Sequence, residues 1–266
     1  MILDLGDKKI RLELLSIAEL KPHEETVGHF SDDLVARIMK EGIQRDPVIV
    51  DEKSLVVLDG MHRLQGLRKI GARFVVANLL DYSSGEVKLS RWLRVVRSPS
   101  PAFFNSLLAD LDMKKDPSSK SDTSQSVRVW YHGEMFSSTS TSFAEVCASM
   151  KRFDSSVTAA GGRVEFMDEE TFHLSTDEMD VAVLLTPVLQ KNQVIHAGTS
   201  GALLPPKSTM HVFPLRPVGV DYPIKDLSTD GGDLAQVLGH RRTKRIEPPA
   251  FHGGRLYREE LLVLEP

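Results

Sequence analysis

Asp59-Gly60-Met61-His62-Arg63 is the stretch of this chain best suited to hold an anion. Four apolar residues, Leu55-Val-Val-Leu58, precede it and predict a strand buried on both faces. After it, Leu64, Leu67 and Ile70 fall on one helical face, and Gly71 suits a left-handed helix stop. The turn therefore opens a helix, whose first N–H groups have no partner within it and whose dipole favours negative charge. Gly60 lets the backbone approach a ligand closely. His62 and Arg63 add donors that match phosphate, against the plainer reading of a satisfied structural histidine and a surface ion pair. Asp59 stands at the C-terminal end of a strand, where open α/β folds place their ligands. It can cap the helix, bind Mg²⁺ or orient a hydroxyl.

A second acid, Glu24, sits in Lys21-Pro-His-Glu-Glu25, which reads as a polar loop. Held beside a substrate hydroxyl it is a general base; otherwise it is a solvated loop acid. Lys207-Ser208-Thr209 and His211 form a second candidate anion site, or an ordinary turn after Pro205-Pro206. Trp92 is by default a core aromatic. The basic run His240-Arg-Arg-Thr-Lys-Arg245 is too short to argue for DNA, and Cys147 reads as a buried, inert thiol. The chain has no Walker loop, GxGxxG, HExxH or Cys/His metal cluster.

The elements that must position these residues fall into two groups. Residues Ile10–Ile17 predict a first strand. A helix starts at Ser31-Asp32-Asp33 and stops at Gly42. Strands at Pro47–Val50 and Phe74–Leu80 flank the Asp59 turn, and Val87–Val96 reads as a helix. This gives an N-terminal domain over residues 1–97. A linker covers 98–126, including the polar stretch Lys114–Ser126. The second domain, 127–227, holds strands at Val127–His132 and Asp180–Leu189 and a helix at Phe143–Met150. Residues 228–266 form a C-terminal extension. At 266 residues the chain can bury a substantial core, and its net charge of −4 supplies no overall positive field for nucleic acid. A single cysteine excludes an internal disulfide. No apolar run reaches bilayer length and no secretory leader is expected, so the reading is a cytoplasmic protein without membrane partners.

The Leu58-Asp-Gly-Met-His-Arg63 turn resembles the ParB/sulfiredoxin superfamily, in which this strand–turn–helix junction binds a nucleotide phosphate. Sulfiredoxins carry a reactive cysteine where this chain has Met61, and chromosome-partitioning ParB proteins have a different turn and a helix-turn-helix domain. The free serine kinases are the similar branch. Lys21-Pro-His-Glu24 resembles their Pro-His-Glu segment, Asp59–Arg63 their Asp-Gly-x-His-Arg, and Pro206-Lys-Ser-Thr-Met-His-Val-Phe-Pro214 their Pro-Lys-Thr-Thr-Arg-His-Val-Leu-Pro. The likeness spans about residues 8–227.

That resemblance implies an α/β (α+β) protein with nucleotide and amino acid in a cleft between two domains. It implies phosphoryl transfer from ATP or ADP, with Mg²⁺, to the hydroxyl of L-serine, giving O-phospho-L-serine. Glu24 and Asp59 would be catalytic, with Asp59 a possible Mg²⁺ ligand. Gly60, Met61, His62, Arg63, Lys207, Ser208, Thr209 and His211 would bind the nucleotide phosphates, and His62 and Trp92 the amino acid. The partners are then small molecules, with no nucleic acid. Met210 replaces a family arginine, for which the arginines of the tail are candidate substitutes. The alternatives are a non-catalytic ParB-like nucleotide-binding regulator or DNA-associated protein, and a kinase for another hydroxy amino acid such as threonine.

Overall fold

The computed structural model describes the chain apart from residues 27, 117–125, 139–141, 171, 173–179 and 230, and apart from the side chains of 28–31. The chain divides into two compact units, one of residues 1–88, 191–206 and 211–266, the other of 89–190 and 207–210. This differs from the sequence-based division, because the chain passes between the units several times and the tail belongs to the first of them.

The first unit is built on a six-stranded mixed sheet. Its order is Ile2–Asp4, Lys9–Ser16, Phe74–Leu80, Val48–Asp51, Val56–Asp59 and Lys21–Pro22. Phe74–Leu80 pairs antiparallel with Lys9–Ser16 and parallel with Val48–Asp51. Val56, Val57 and Leu58 are buried, as a continuous apolar run with both faces covered requires. The first helix spans Gly28–Glu41. It therefore begins before Ser31, which lies within it.

The tail is a structural part of this unit. Leu261–Glu265 runs parallel to Arg216–Val218 and antiparallel to Arg242–Ile246. By strand alternation Leu262 and Leu264 enter the core that holds Leu12, Val50 and Leu64, while Leu261 and Val263 pack with Val218, Ala250 and Tyr257. Leu234 and Leu238 join the larger core, so 228–266 is no appendage.

The second unit is a six-stranded antiparallel sheet of Met113–Lys115, Glu134–Ser138, Arg128–Tyr131, Val181–Leu185, Trp92–Arg97 and Glu165–Asp168, in that order. The helices Pro101–Asp110 and Phe143–Ala159 contribute Phe104, Leu107, Met150 and Phe153 to a core with Val96, Val129 and Leu184. Leu93, Val95, Val181 and Val183 form a second cluster on the opposite face. The helix read over Val87–Val96 is thus two strands, Lys88–Ser90 and Trp92–Arg97. Apolar residues on both faces hide the two-residue period there. The 98–126 linker also contains structure: Ser100 caps the Pro101 helix by accepting from the Phe103 N–H, and Met113–Lys115 is a strand. The rest of that reading, at 117–125, lies outside the described residues. Cys147 is half-buried on the Phe143 helix, and burial raises its thiol pKa.

Leu262→Ala should destabilise the protein by about 2–5 kcal/mol in denaturant unfolding. A loss below about 0.5 kcal/mol would mean that the tail is not part of the core.

Candidate active site

The Asp59 turn takes its shape from Gly60. This residue precedes the Met61–Lys69 helix with φ of 93°, a left-handed conformation. A Cβ here would lie 2.8 Å from Arg63 Nη1 and 2.9 Å from Val48 Cγ1, so space as well as backbone demands glycine. Met61, His62 and Arg63 occupy the first helical turn and are partly buried. The Arg63 guanidinium donates to the Pro47 carbonyl (2.8 Å), which aligns it against the start of the neighbouring strand.

Glu24 is not a solvated loop acid. Its segment is pinned on both sides by backbone pairing. Lys21 and Pro22 run parallel to Val56 and Val57, and Leu204 N–H donates to the His23 carbonyl while Glu25 N–H donates to the Leu204 carbonyl. His23 is fully buried and Glu24 is 8% exposed. The short polar stretch gave no sign of this burial, because the pairing partners lie far away in sequence.

The charges of the two acids both reach His211. This buried imidazole feels the charges of both Glu24 and Asp59, hydrogen-bonds through Nε2 to Tyr82 Oη (2.8 Å), and packs against the rings of His23 and Phe213. Burial above all, and then His23, push its pKa from 6.5 down to about 3, against the opposing pull of the two carboxylates. It is neutral at pH 7. Burial, then the charges of Asp51 and Glu24, push the Tyr82 phenol up, so it stays protonated.

Asp59 is held by a residue that sequence reasoning missed. Arg216 Nη1 lies 2.9 Å from Asp59 Oδ2, and its Nε lies 2.5 Å from Glu259 Oε1. The guanidinium, 5% exposed, also faces the rings of Phe213 and Tyr257. Burial pushes the Asp59 carboxyl up, but Arg216, Arg255 and Arg63 outweigh it and hold the group well below the usual carboxylate range. Asp59 is therefore an ionised acceptor. Arg255, from the tail, is among the charges that act on it. The signal for Arg216 was an arginine inside the apolar run Phe213–Val220. Glu259 had none.

The other predicted residues lie in the second unit. The Lys207 ammonium sits 4.7 Å from the centre of the Trp92 ring. Lys207 has a φ of 56°, and its carbonyl accepts from Arg94 (3.4 Å), whose Nε donates to Asp154 (2.9 Å). Ser208 is buried, with its hydroxyl against Met150 Sδ, and Thr209 is buried too. Arg94 and Asp154 were also missed, although an arginine inside Trp-Leu-Arg-Val-Val is a signal of a buried ion pair.

Among the described residues no group of three or more His, Cys, Asp or Glu side chains could hold a metal by itself. Mg²⁺ commonly takes one or two protein carboxylates, with substrate phosphates and waters completing its shell. Ionised Asp59 fits that limited part. No helix among the described residues is long and apolar enough to cross a membrane.

No protein-family model matches the chain. A ParB-like protein of Sulfolobus acidocaldarius is 27% identical over 205 residues, covering 76% of this chain and 91% of its own. An ADP-dependent L-serine kinase of Thermococcus kodakarensis is 23% identical over 235 residues, covering 84% and 96%. This chain resembles the free serine kinases over most of its length. Its fold is also that of a solved free serine kinase variant in complex with ADP, with a TM-score of 0.67 at 22% identity over 83% of this chain and 95% of that one.

Two outcomes follow from this geometry. Gly60→Ala should cost about 1–3 kcal/mol of stability from the left-handed backbone alone. His211 binds fewer protons folded than unfolded between about pH 3 and its ordinary 6.5, so its contribution is present above that range and is lost as pH falls through it. Urea-unfolding stability should therefore fall from pH 7 to pH 5, and His211→Gln should flatten that slope.

Proposed function

We propose that this protein is a free amino acid kinase. It transfers a phosphoryl group from ATP or ADP to the hydroxyl of L-serine and releases O-phospho-L-serine. The observation that carries this reading is a buried acid, Glu24, and a partly buried one, Asp59, whose charges both act on His211, with Asp59 opening directly into a glycine turn that starts a helix. The L-serine kinases among its relatives support the choice of acceptor.

In this reading Glu24 accepts the serine hydroxyl proton as the oxygen attacks phosphorus. Asp59, fixed by Arg216, orients that hydroxyl or serves as one ligand of Mg²⁺. The ion, when bound with the nucleotide, neutralises phosphate charge. The N–H groups of Gly60, Met61 and His62 and the side chain of Arg63 bind phosphate, as do Lys207, Ser208, Thr209 and His211. Neutral His211 suits hydrogen bonding better than charge pairing. His62 and Trp92 contact the amino acid. The work is chiefly positioning and charge neutralisation, which these residue types supply.

A second reading, a ParB-like nucleotide-binding regulator, draws on the Sulfolobus relative's name. Incubation with ATP or ADP, Mg²⁺ and L-serine or L-threonine separates the two. Phosphate transfer that depends on the amino acid supports the kinase, whereas nucleotide hydrolysis stimulated by DNA supports the regulator.

Glu24→Gln should lower the transfer rate by about 10²–10⁴-fold while nucleotide affinity, measured by calorimetry, stays within a few fold. Turnover like the parent enzyme's would remove Glu24 as the base. Lys207→Met should raise the KM for nucleotide about tenfold or more, with little change in that for serine.

A further inference from the structure

His23 is completely buried, and its ring orientation is fixed at one end. Nδ1 lies 2.6 Å from the Val57 carbonyl oxygen. A carbonyl only accepts, so Nδ1 carries a hydrogen and donates it. In the neutral ring the other nitrogen, Nε2, is then the basic one. It lies 3.5 Å from Glu24 Oε1. The strand carrying Val57 is the one that ends at Asp59, so the same backbone fixes both the histidine and the second acid.

We propose that His23 is a positioning residue that acts through Glu24 and stores the proton of the transfer step. The inference rests on the kinase reading. As the serine oxygen bonds to phosphorus, the bond from phosphorus to the nucleotide's leaving oxygen breaks. The hydroxyl proton passes to the Glu24 carboxylate. The resulting carboxylic acid hands it to His23 Nε2, which restores the carboxylate and leaves an imidazolium beside it. The proton returns to solvent when product leaves. No oxidant or further reactant is needed. A carboxylate alone is a weak base for an alcohol, and an imidazole nitrogen beside it offers the proton a second place to rest.

The groups facing His23 allow this. Glu24 offers a compensating negative charge at Nε2, and the ring of His211 meets it edge-on at 5.8 Å. His211 is itself neutral, hydrogen-bonded to protonated Tyr82, and influenced by Asp59 and Arg216. A proton on His23 Nε2 therefore meets the Glu24 carboxylate.

Two substitutions separate proton storage from mere support. His23→Asn keeps an amide N–H where Nδ1 stands, and so keeps the donor to Val57, but removes Nε2. His23→Gln places its amide near Nε2 and gives up the Val57 bond. Both amides are non-basic. With the nucleotide that supports turnover, both variants should lose about tenfold or more in kcat while KM for serine and nucleotide stays within about twofold. The acid limb of the kcat–pH profile should differ between His23→Asn and the parent enzyme, because the variant has no Nε2 to take the proton. A His23→Asn enzyme with near-normal kcat, or with an unmoved acid limb, overturns the proposal. If neither variant folds, ¹⁵N-histidine NMR of the parent enzyme decides. Nδ1 protonated throughout, with Nε2 gaining its proton along the acid limb, supports the role, and the opposite tautomer overturns it. A parent enzyme that never phosphorylates serine would instead sink the kinase reading.

Discussion

The Arg216 guanidinium, held between Asp59 and Glu259, is the interaction on which the rest of the site depends. Three charges meet there, two of them, Arg216 and Glu259, almost fully buried. Burying such groups is costly, and removing one partner would strand the others, which commonly costs about 3–5 kcal/mol. The arrangement persists because both carboxylates pair with the guanidinium, Arg255 and Arg63 add positive charge that acts on Asp59, and two aromatic rings cover the guanidinium. It also joins three distant parts of the chain: the strand ending at Asp59, the strand starting at Arg216, and the segment leading into Leu261–Glu265. That explains why the tail cannot be an independent extension.

The same network sets the chemical state of the site. Asp59 is an ionised acceptor and is poorly suited to taking a proton. In the proposed mechanism the proton goes instead to Glu24, whose backbone bridges to Leu204 and whose carboxylate lies beside the His23 imidazole. His211, neutral and hydrogen-bonded to Tyr82, is where the influence of both acids meets.

Much of this was legible from sequence where the signal was local. The Asp59–Arg63 turn, with its buried strand and amphipathic helix, reads directly from four apolar residues, a glycine and the spacing of Leu64 and Leu67. Phe74–Leu80 and Val181–Leu185 are strands for the same reason. What failed was long-range. Val87–Val96 looked helical because apolar residues on both faces of a covered strand erase the alternation. Glu24 looked solvated because the pairing that buries it comes from Val56, Val57 and Leu204. The partners of Asp59 were invisible because an ion pair across about 157 positions leaves no pattern in either segment.

The most direct test of the account is a crystal structure of the Glu24→Gln enzyme with a nucleotide and L-serine bound. The account predicts the serine hydroxyl oxygen within hydrogen-bond reach of residue 24, about 2.6–3.2 Å, in line with the terminal phosphorus, and Asp59 still paired with Arg216. Serine bound elsewhere, or a hydroxyl with neither acid position beside it, would contradict it.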